Sequence, residues 1–499
     1  MTTVISRRHF LAAFGASGLA AATPAWAEAP DASLRPVARG EDLRLRSLAT
    51  SQDLIAAAKL NGAVSFAVLD MATGAMLDSH APTLGLPPAS VAKALTASYA
   101  LTALGPNHRF ATDLLATGEV RDGVLRGDLV LLGGGDPTLD TDGLAELAAA
   151  LKAQGVARIE GRFLVCGSAL PYARTIDAGQ PDHVGYNPAV SGLNLNYNRV
   201  HFEWRRGGNG YRISMDARSE AHRPAVRMAS MGVIARAAPL YTYHDGEARD
   251  EWTVARGALG KSGARWLPVR KPESYAGEVF QVLAGGMGVS LPAPETVVTC
   301  PSGTRLARKQ SAPLRIVLRD MLKWSTNLTA EIVGQAATKA RLGEVVSMRQ
   351  SADAMSAWAR AEFGLSHVAL VDHSGLGEAS RIASQDMARA LYHIRSRLDL
   401  KALLKPIPMR DGARKVVQDA PVSVHAKTGT LNFVSGLAGY ADLDGGRELV
   451  FAIFCGDLDR RAKLTKAQRE RPEGGKAWNT RAKILQQALI DRWAVIANT

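Results

Sequence analysis

Only three cysteines occur in 499 residues, at positions 166, 300 and 455, and no two of them form a C-x-x-C pair. That spacing excludes a zinc ribbon and a thioredoxin-type redox couple, and it denies the chain the disulfide density of a small secreted scaffold. One disulfide can form and leaves at least one thiol unpaired. Cys166 and Cys455 each follow an apolar, strand-like run, so buried free thiols are the expectation. Histidine supplies no metal frame either, because His80, His201, His373 and His425 sit in neither H-E-x-x-H nor H-x-x-E-H. Aromatic residues make up 6% and charged residues 21%, and past the N-terminus no apolar run is long enough to span a bilayer. Neither wholesale disorder nor a multispanning membrane protein fits this composition.

Acidic residues are also in deficit. Lys and Arg number 60 against 47 Asp and Glu, a net charge of +13, which favours anionic partners such as acidic polymers of a cell envelope. The N-terminus narrows that choice. Arg7 and Arg8 precede a weakly apolar, Ala/Gly-rich stretch at 10–22, and Ala25-Trp26-Ala27 places small residues at A-x-A cleavage positions. Residues 1–27 therefore read as a removable signal of the twin-arginine type, with the general secretory route or a buried N-terminal helix as alternatives. An exported, periplasmic chain with no transmembrane helix after cleavage has little occasion to meet nucleic acid.

The organisation beyond residue 28 is a mixed, α+β one. Apolar runs at 64–69 and 75–77 around Thr73-Gly74 predict a β-hairpin, and Pro87-Pro88-Ala89-Ser90 marks the start of a helix running to Leu104. Residues 112–265 change texture, with short β-like runs and glycine clusters, and read as one or two inserted, mainly β subdomains. Within them Lys261-Ser262-Gly263 reads as a solvated turn. Helical spacing returns at 275–287 and 314–324, followed by strands near 427–433, 437–443 and 448–455. A basic stretch at 460–471, read as a solvated surface, leads to a helix whose Trp478, Leu485, Leu489 and Trp493 form an apolar stripe. The expected layout is one main part at 28–111 and 266–499, interrupted by the insertion at 112–265.

Three short motifs can carry chemistry together. Ser90-Val91-Ala92-Lys93 puts a hydroxyl and an amine on one face of a helix start, where the lysine can activate the serine and the dipole favours developing negative charge. Ser325-Thr326-Asn327 falls in a polar break after a helix, where a hydroxyl can relay a proton. Lys427-Thr428-Gly429-Thr430 offers a cation and hydroxyls for a carboxylate, with a glycine that lets a substrate backbone approach an edge strand. None of these needs a metal or cofactor.

The set Ser90-x-x-Lys93, Ser325-x-Asn327 and Lys427-Thr428-Gly429 resembles the three motifs of penicillin-binding proteins and serine β-lactamases. Ser325 lies 235 positions after Ser90, and a gap of that length is similar to the insertion of the class C low-molecular-mass penicillin-binding proteins, the D-alanyl-D-alanine carboxypeptidase/endopeptidase family. Leu132-Gly133-Gly134-Gly135-Asp136-Pro137-Thr138, the segment 186–196 and Asp372-His373-Ser374-Gly375-Leu376 add to the likeness; Thr326, where the family often has Asp, departs from it. The resemblance implies an antiparallel sheet flanked by helices. It also implies Ser90 as nucleophile, Lys93 as proton acceptor, and Ser325, Asn327 and Lys427 as further catalytic groups. Thr428, Gly429 and Thr430 would bind substrate, peptidoglycan peptides would be the partners and β-lactams the inhibitors. A β-lactamase-like hydrolase on the same residues, or a non-catalytic wall-binding scaffold, are the other readings.

Overall fold

Continuous apolar runs at 63–70, 434–443 and 448–456 become the central strands of a sheet buried on both faces, which is why they lack polar alternation. The computed structural model describes residues 48–411 and 414–497; the expected signal segment 1–27 lies outside the described residues. Six strands, β1 (Ala63–Asp70), β2 (Met76–His80), β3 (Lys405–Ile407), β4 (Val422–Leu431), β5 (Val434–Leu443) and β6 (Glu448–Gly456), pair antiparallel in the order β2-β1-β6-β5-β4-β3. Five helices position the site: α1 (Ala92–Leu104), α2 (Leu314–Trp324), α3 (Asn327–Leu342), α4 (Ser384–Arg397) and α5 (Gly475–Ile496). Side chains alternate across the sheet. Phe66, Phe451 and Ile453 face α5, whose Trp478, Leu485, Leu489 and Trp493 are all buried as the stripe predicts. Ala67, Ala452 and Phe454 face the opposite layer of α1 to α4. Each large α5 side chain removed from water contributes roughly 1.5–3 kcal/mol, so that face fixes the helix on the sheet.

A second core holds the insertion. Its five-stranded sheet runs in the order 294–297, 163–166, 129–133, 111–116, 304–310, packed by the helices Thr141–Ala153 and Pro272–Gly286. This extends past the boundary expected at residue 265. The reason lies in the helix, because Tyr275, Val279 and Phe280 share an apolar face that is buried in this core and not on the β1–β6 sheet. Lys261 and Ser262 are exposed as expected, but the turn is confined to Lys261: the strand Ser262–Pro268 begins next to it and pairs with Arg199–Gly207, with Gly263 lying against the Trp204 ring.

Cysteine usage also differs from expectation. The strand Pro294–Val297 runs parallel to Phe163–Cys166 with Val297 opposite Cys166, and the following turn brings Cys300 to a Cα separation of 5.7 Å, where the two cysteines are disulfide-bonded. Cys455 is the buried free thiol, and burial pushes it up to about 12. Among the described residues no helix is long and apolar enough to cross a membrane.

Candidate active site

Ser90 sits in a 3-10 turn, Ala89–Val91, at the entry to α1, and Lys93 follows one turn later on the same face. Lys93 is fully buried, and its Nζ donates to Ser90 Oγ at 3.0 Å, to Asn327 Oδ1 at 2.7 Å and to the Ser374 carbonyl at 2.7 Å. An ammonium has three donors, so this arrangement uses all of them. Burial lowers Lys93 to about 8, opposed by the carboxyl groups of Asp372 and Glu331. The lysine is thus near the point at which it exchanges a proton at moderately alkaline pH.

The second motif is a hinge between two helices. α2 ends at Trp324, Ser325 adopts a left-handed conformation (φ 60°), and α3 begins at Asn327. A non-glycine residue in that region is strained and needs its surroundings to hold it. Ser325 Oγ accepts a hydrogen bond from Lys427 Nζ at 3.0 Å, and Lys427 also donates to the Thr428 carbonyl at 2.8 Å. Lys427 is 1% exposed; burial, then the charges of Lys93 and Lys405, hold it well below the usual lysine range. Two amine–hydroxyl pairs, Lys93–Ser90 and Lys427–Ser325, therefore face one cleft. Asn327 Nδ2 donates to the Tyr186 carbonyl at 2.9 Å, tying the site to the insertion.

The third motif supplies the cleft wall. β3 pairs with β4 only at residues 424–426, so among the described residues 427–431 have no strand on their outer side. Gly429 is required there, since a Cβ would lie 2.6 Å from the Pro88 carbonyl and 3.2 Å from Ser90 N. We expect Gly429→Ala to cost about 1–3 kcal/mol of stability and to displace the Ser90 turn enough to slow acylation roughly 10²-fold. Thermal melting and a labelling time course check both; a folded variant acylated at the normal rate contradicts the contact.

The cleft, ≈ 300 Å³, is lined by Ser90, Ser325, Asn327, Thr430, Tyr186 and Arg461, among others. The structure thus gathers Ser90, Lys93, Ser325, Asn327, Lys427 and Thr430. Thr428 is set apart from them, lining with Gly429 a neighbouring cavity of ≈ 350 Å³ bounded by Thr480 and Lys483 of α5. Alternation along the strand turns Thr428 to the face opposite Lys427, towards α5.

The basic stretch also corrects the sequence reading. Arg461 is 2% exposed and donates to the Asn432 carbonyl at 3.1 Å, while Arg469 pairs with Glu378 at 2.8 Å; both line the cleft instead of a solvated surface. Charge counting missed them because the fold of the 458–471 segment decides which arginines turn inward. Glu331, Asp372 and His373 belong to no motif that would give them a chemical role from sequence, although 372–376 is a matching segment.

Comparison with known proteins agrees with this architecture. The D-alanyl-D-alanine carboxypeptidase of Actinomadura sp. (strain R39) is 26% identical over 489 residues, covering 87% of this chain and 84% of that one. The fold is similar to penicillin binding protein 4 (dacB) from Haemophilus influenzae, with a TM-score of 0.70 at 22% identity, over 88% of this chain and 99% of that one. A structure of the same Haemophilus protein complexed with a β-lactam matches with a TM-score of 0.68 at 21% identity, over 88% and 99% of the two chains. Residues 49–473 match a single family across both cores, and this chain belongs to it: the D-Ala-D-Ala carboxypeptidase 3 (S13) family of serine peptidases.

Proposed function

We propose that this protein is a serine D-Ala-D-Ala carboxypeptidase and/or D,D-endopeptidase that cleaves peptidoglycan stem peptides through an acyl-enzyme formed on Ser90. The observation that carries this reading is the 3.0 Å contact between the Oγ of Ser90, which lines the cleft, and the Nζ of a fully buried lysine. Ser90 Oγ attacks the carbonyl of the scissile bond and its proton passes to neutral Lys93. Collapse of the tetrahedral intermediate expels the leaving amine, which receives a proton through Ser325 and Lys427. Water then attacks the ester and releases the shortened peptide. The main-chain N–H groups of Ser90 and Thr430 are suited to hold the oxyanion, a feature worth about 3 kcal/mol per donor. The free edge at 427–431 suits an extended peptide, with Lys427 and Thr430 taking the terminal carboxylate and Thr428 and Gly429 contributing main chain.

The sign of the pH dependence follows from Lys93. Only the neutral amine accepts the Ser90 proton, so acylation rises as pH rises through about 8, and falls on the acid side where the ammonium persists. The export reading of residues 1–27 places this activity in the periplasm, beside its polymer substrate. The outward-facing cations Lys463 and Arg471 remain available to anionic envelope polymers.

The test uses a fluorescent penicillin on the purified protein, mapping of the labelled peptide, and assay of D-alanine release from a stem pentapeptide. A long-lived adduct on Ser90 with D-alanine release is the expected result. Rapid β-lactam turnover instead makes the chain a β-lactamase-like hydrolase. A folded protein that neither binds nor hydrolyses penicillin overturns the enzymatic reading.

A further inference from the structure

Behind Lys93 lies a set of buried groups that the acylation scheme does not use. Glu331 is 0% and Asp372 1% exposed. Glu331 stands one helical turn after Asn327, so the two share a face of α3 and approach Lys93 by different routes. Asn327 touches Nζ directly. Glu331 acts through the 372–375 loop: its Oε1 accepts the Ser374 N–H at 2.8 Å, both of its oxygens lie within 3.2 Å of the His373 N–H, and the Ser374 carbonyl receives Lys93 Nζ at 2.7 Å. Asp372 holds the same loop from its other side, its Oδ1 accepting the Gly375 N–H at 2.7 Å and its Oδ2 the Gly377 N–H.

The neighbouring residues are shaped for this loop. One further turn along α3, Gly334 lies beneath the His373 ring, where a Cβ would come within 2.2 Å of it. His373 is bonded to Ser351 Oγ at 2.7 Å and held neutral by burial, down to about 3, so it adds no charge. The charged groups that face Lys93 are therefore Glu331 from α3, Asp372 from the loop and Lys427 from β4; the remaining contacts, Ser90, Asn327 and the Ser374 carbonyl, are neutral.

We propose that Glu331 is a positioning residue for the acylation step: its carboxylate fixes the 373–374 peptide so that the Ser374 carbonyl stays on Lys93, and with Asp372 it supplies the buried negative charge against which that lysine keeps or yields its proton. Burial, then the Asp372 carboxyl, pushes Glu331 upward, so the two acids compete to remain charged and answer to the same cation. Both parts of the role act in one direction. Loosening the carbonyl contact and removing negative charge each destabilise the Lys93 ammonium, so the neutral amine appears at lower pH.

The inference rests on the Ser90–Lys93 reading above, and its experiment separates the two. The rate of penicillin labelling is measured against pH for wild type and Glu331→Gln, with the labelled residue mapped in each and folding checked by circular dichroism. The expected result is slower labelling on Ser90 at alkaline pH, with the acid limb moved down by at least about half a pH unit, and a return towards the wild-type limb in Glu331→Asp. A folded Glu331→Gln whose limb is unmoved, whatever its rate, overturns the proposal, because a residue that only supports the fold lowers the rate without moving the limb. Should Glu331→Gln not fold, the limb is read in Asp372→Asn, where the same shift supports the proposal and its absence overturns it. Failure of wild type to label on Ser90 counts against the underlying reading and leaves no lysine for Glu331 to position, which overturns the proposal with it.

Discussion

Ser90→Ala is expected to abolish the covalent penicillin adduct and D-alanine release while leaving the protein folded. Ser90 Oγ is the hydroxyl that the fully buried Lys93 engages at the entry to α1, while Ser325 Oγ is engaged by Lys427. Removing one half-buried hydroxyl costs a hydrogen bond of about 1 kcal/mol, and Lys93 keeps Asn327 Oδ1 and the Ser374 carbonyl as acceptors. The measurement is a labelling gel run beside a thermal melt. A variant that melts like wild type and still forms an adduct moves the nucleophile to another residue, with Ser325 the first to be mapped. A variant that retains wall binding but no chemistry separates scaffold from enzyme, since a scaffold role needs no hydroxyl at position 90.

The second large effect is expected at Lys93→Met, which keeps the length of the side chain and removes its amine. General-base catalysis by a positioned group is worth roughly 10²–10⁴-fold, and acylation is expected to slow by that amount. Stability falls as well, because Asn327 Oδ1 and the Ser374 carbonyl lose their donor, and a buried acceptor left unpaired costs about 1–3 kcal/mol. Stopped-flow acylation at several pH values, on protein shown to be folded at the assay temperature, reads the chemical part. A wild-type rate in the folded variant would transfer the proton acceptor to the Lys427–Ser325 pair.

Much of this site was legible because its determinants are local. Three-residue spacing on a helix start sets Lys93 against Ser90, and the polar break at 325–327 coincides with the junction of α2 and α3. The strands at 437–443 and 448–455 and the stripe on α5 were equally plain, since burial on both faces leaves unbroken apolar runs. The misreadings share one cause, that tertiary placement overrides local pattern. The Cys166–Cys300 bond depends on which strands become parallel neighbours, 134 residues apart in sequence. The helix at 272–286 has the right period for either core, and only its partners assign it to the second. Thr428 was grouped with Lys427 by motif, whereas the pleat turns it to the other face.

The unpaired edge at 427–431 has a consequence for how this protein keeps company with itself. An open strand edge is a template on which any extended chain can add, including that of another molecule, and proteins with such edges are prone to associate. Here the open stretch is short, set within a cleft, and flanked by the charges of Arg461, Arg469 and Glu470. A single slender peptide can reach it, whereas a folded neighbour's strand would have to bring its own sheet into a space of ≈ 300 Å³. Walls of that kind, suited to one extended peptide, also oppose edge-to-edge pairing between copies of the chain.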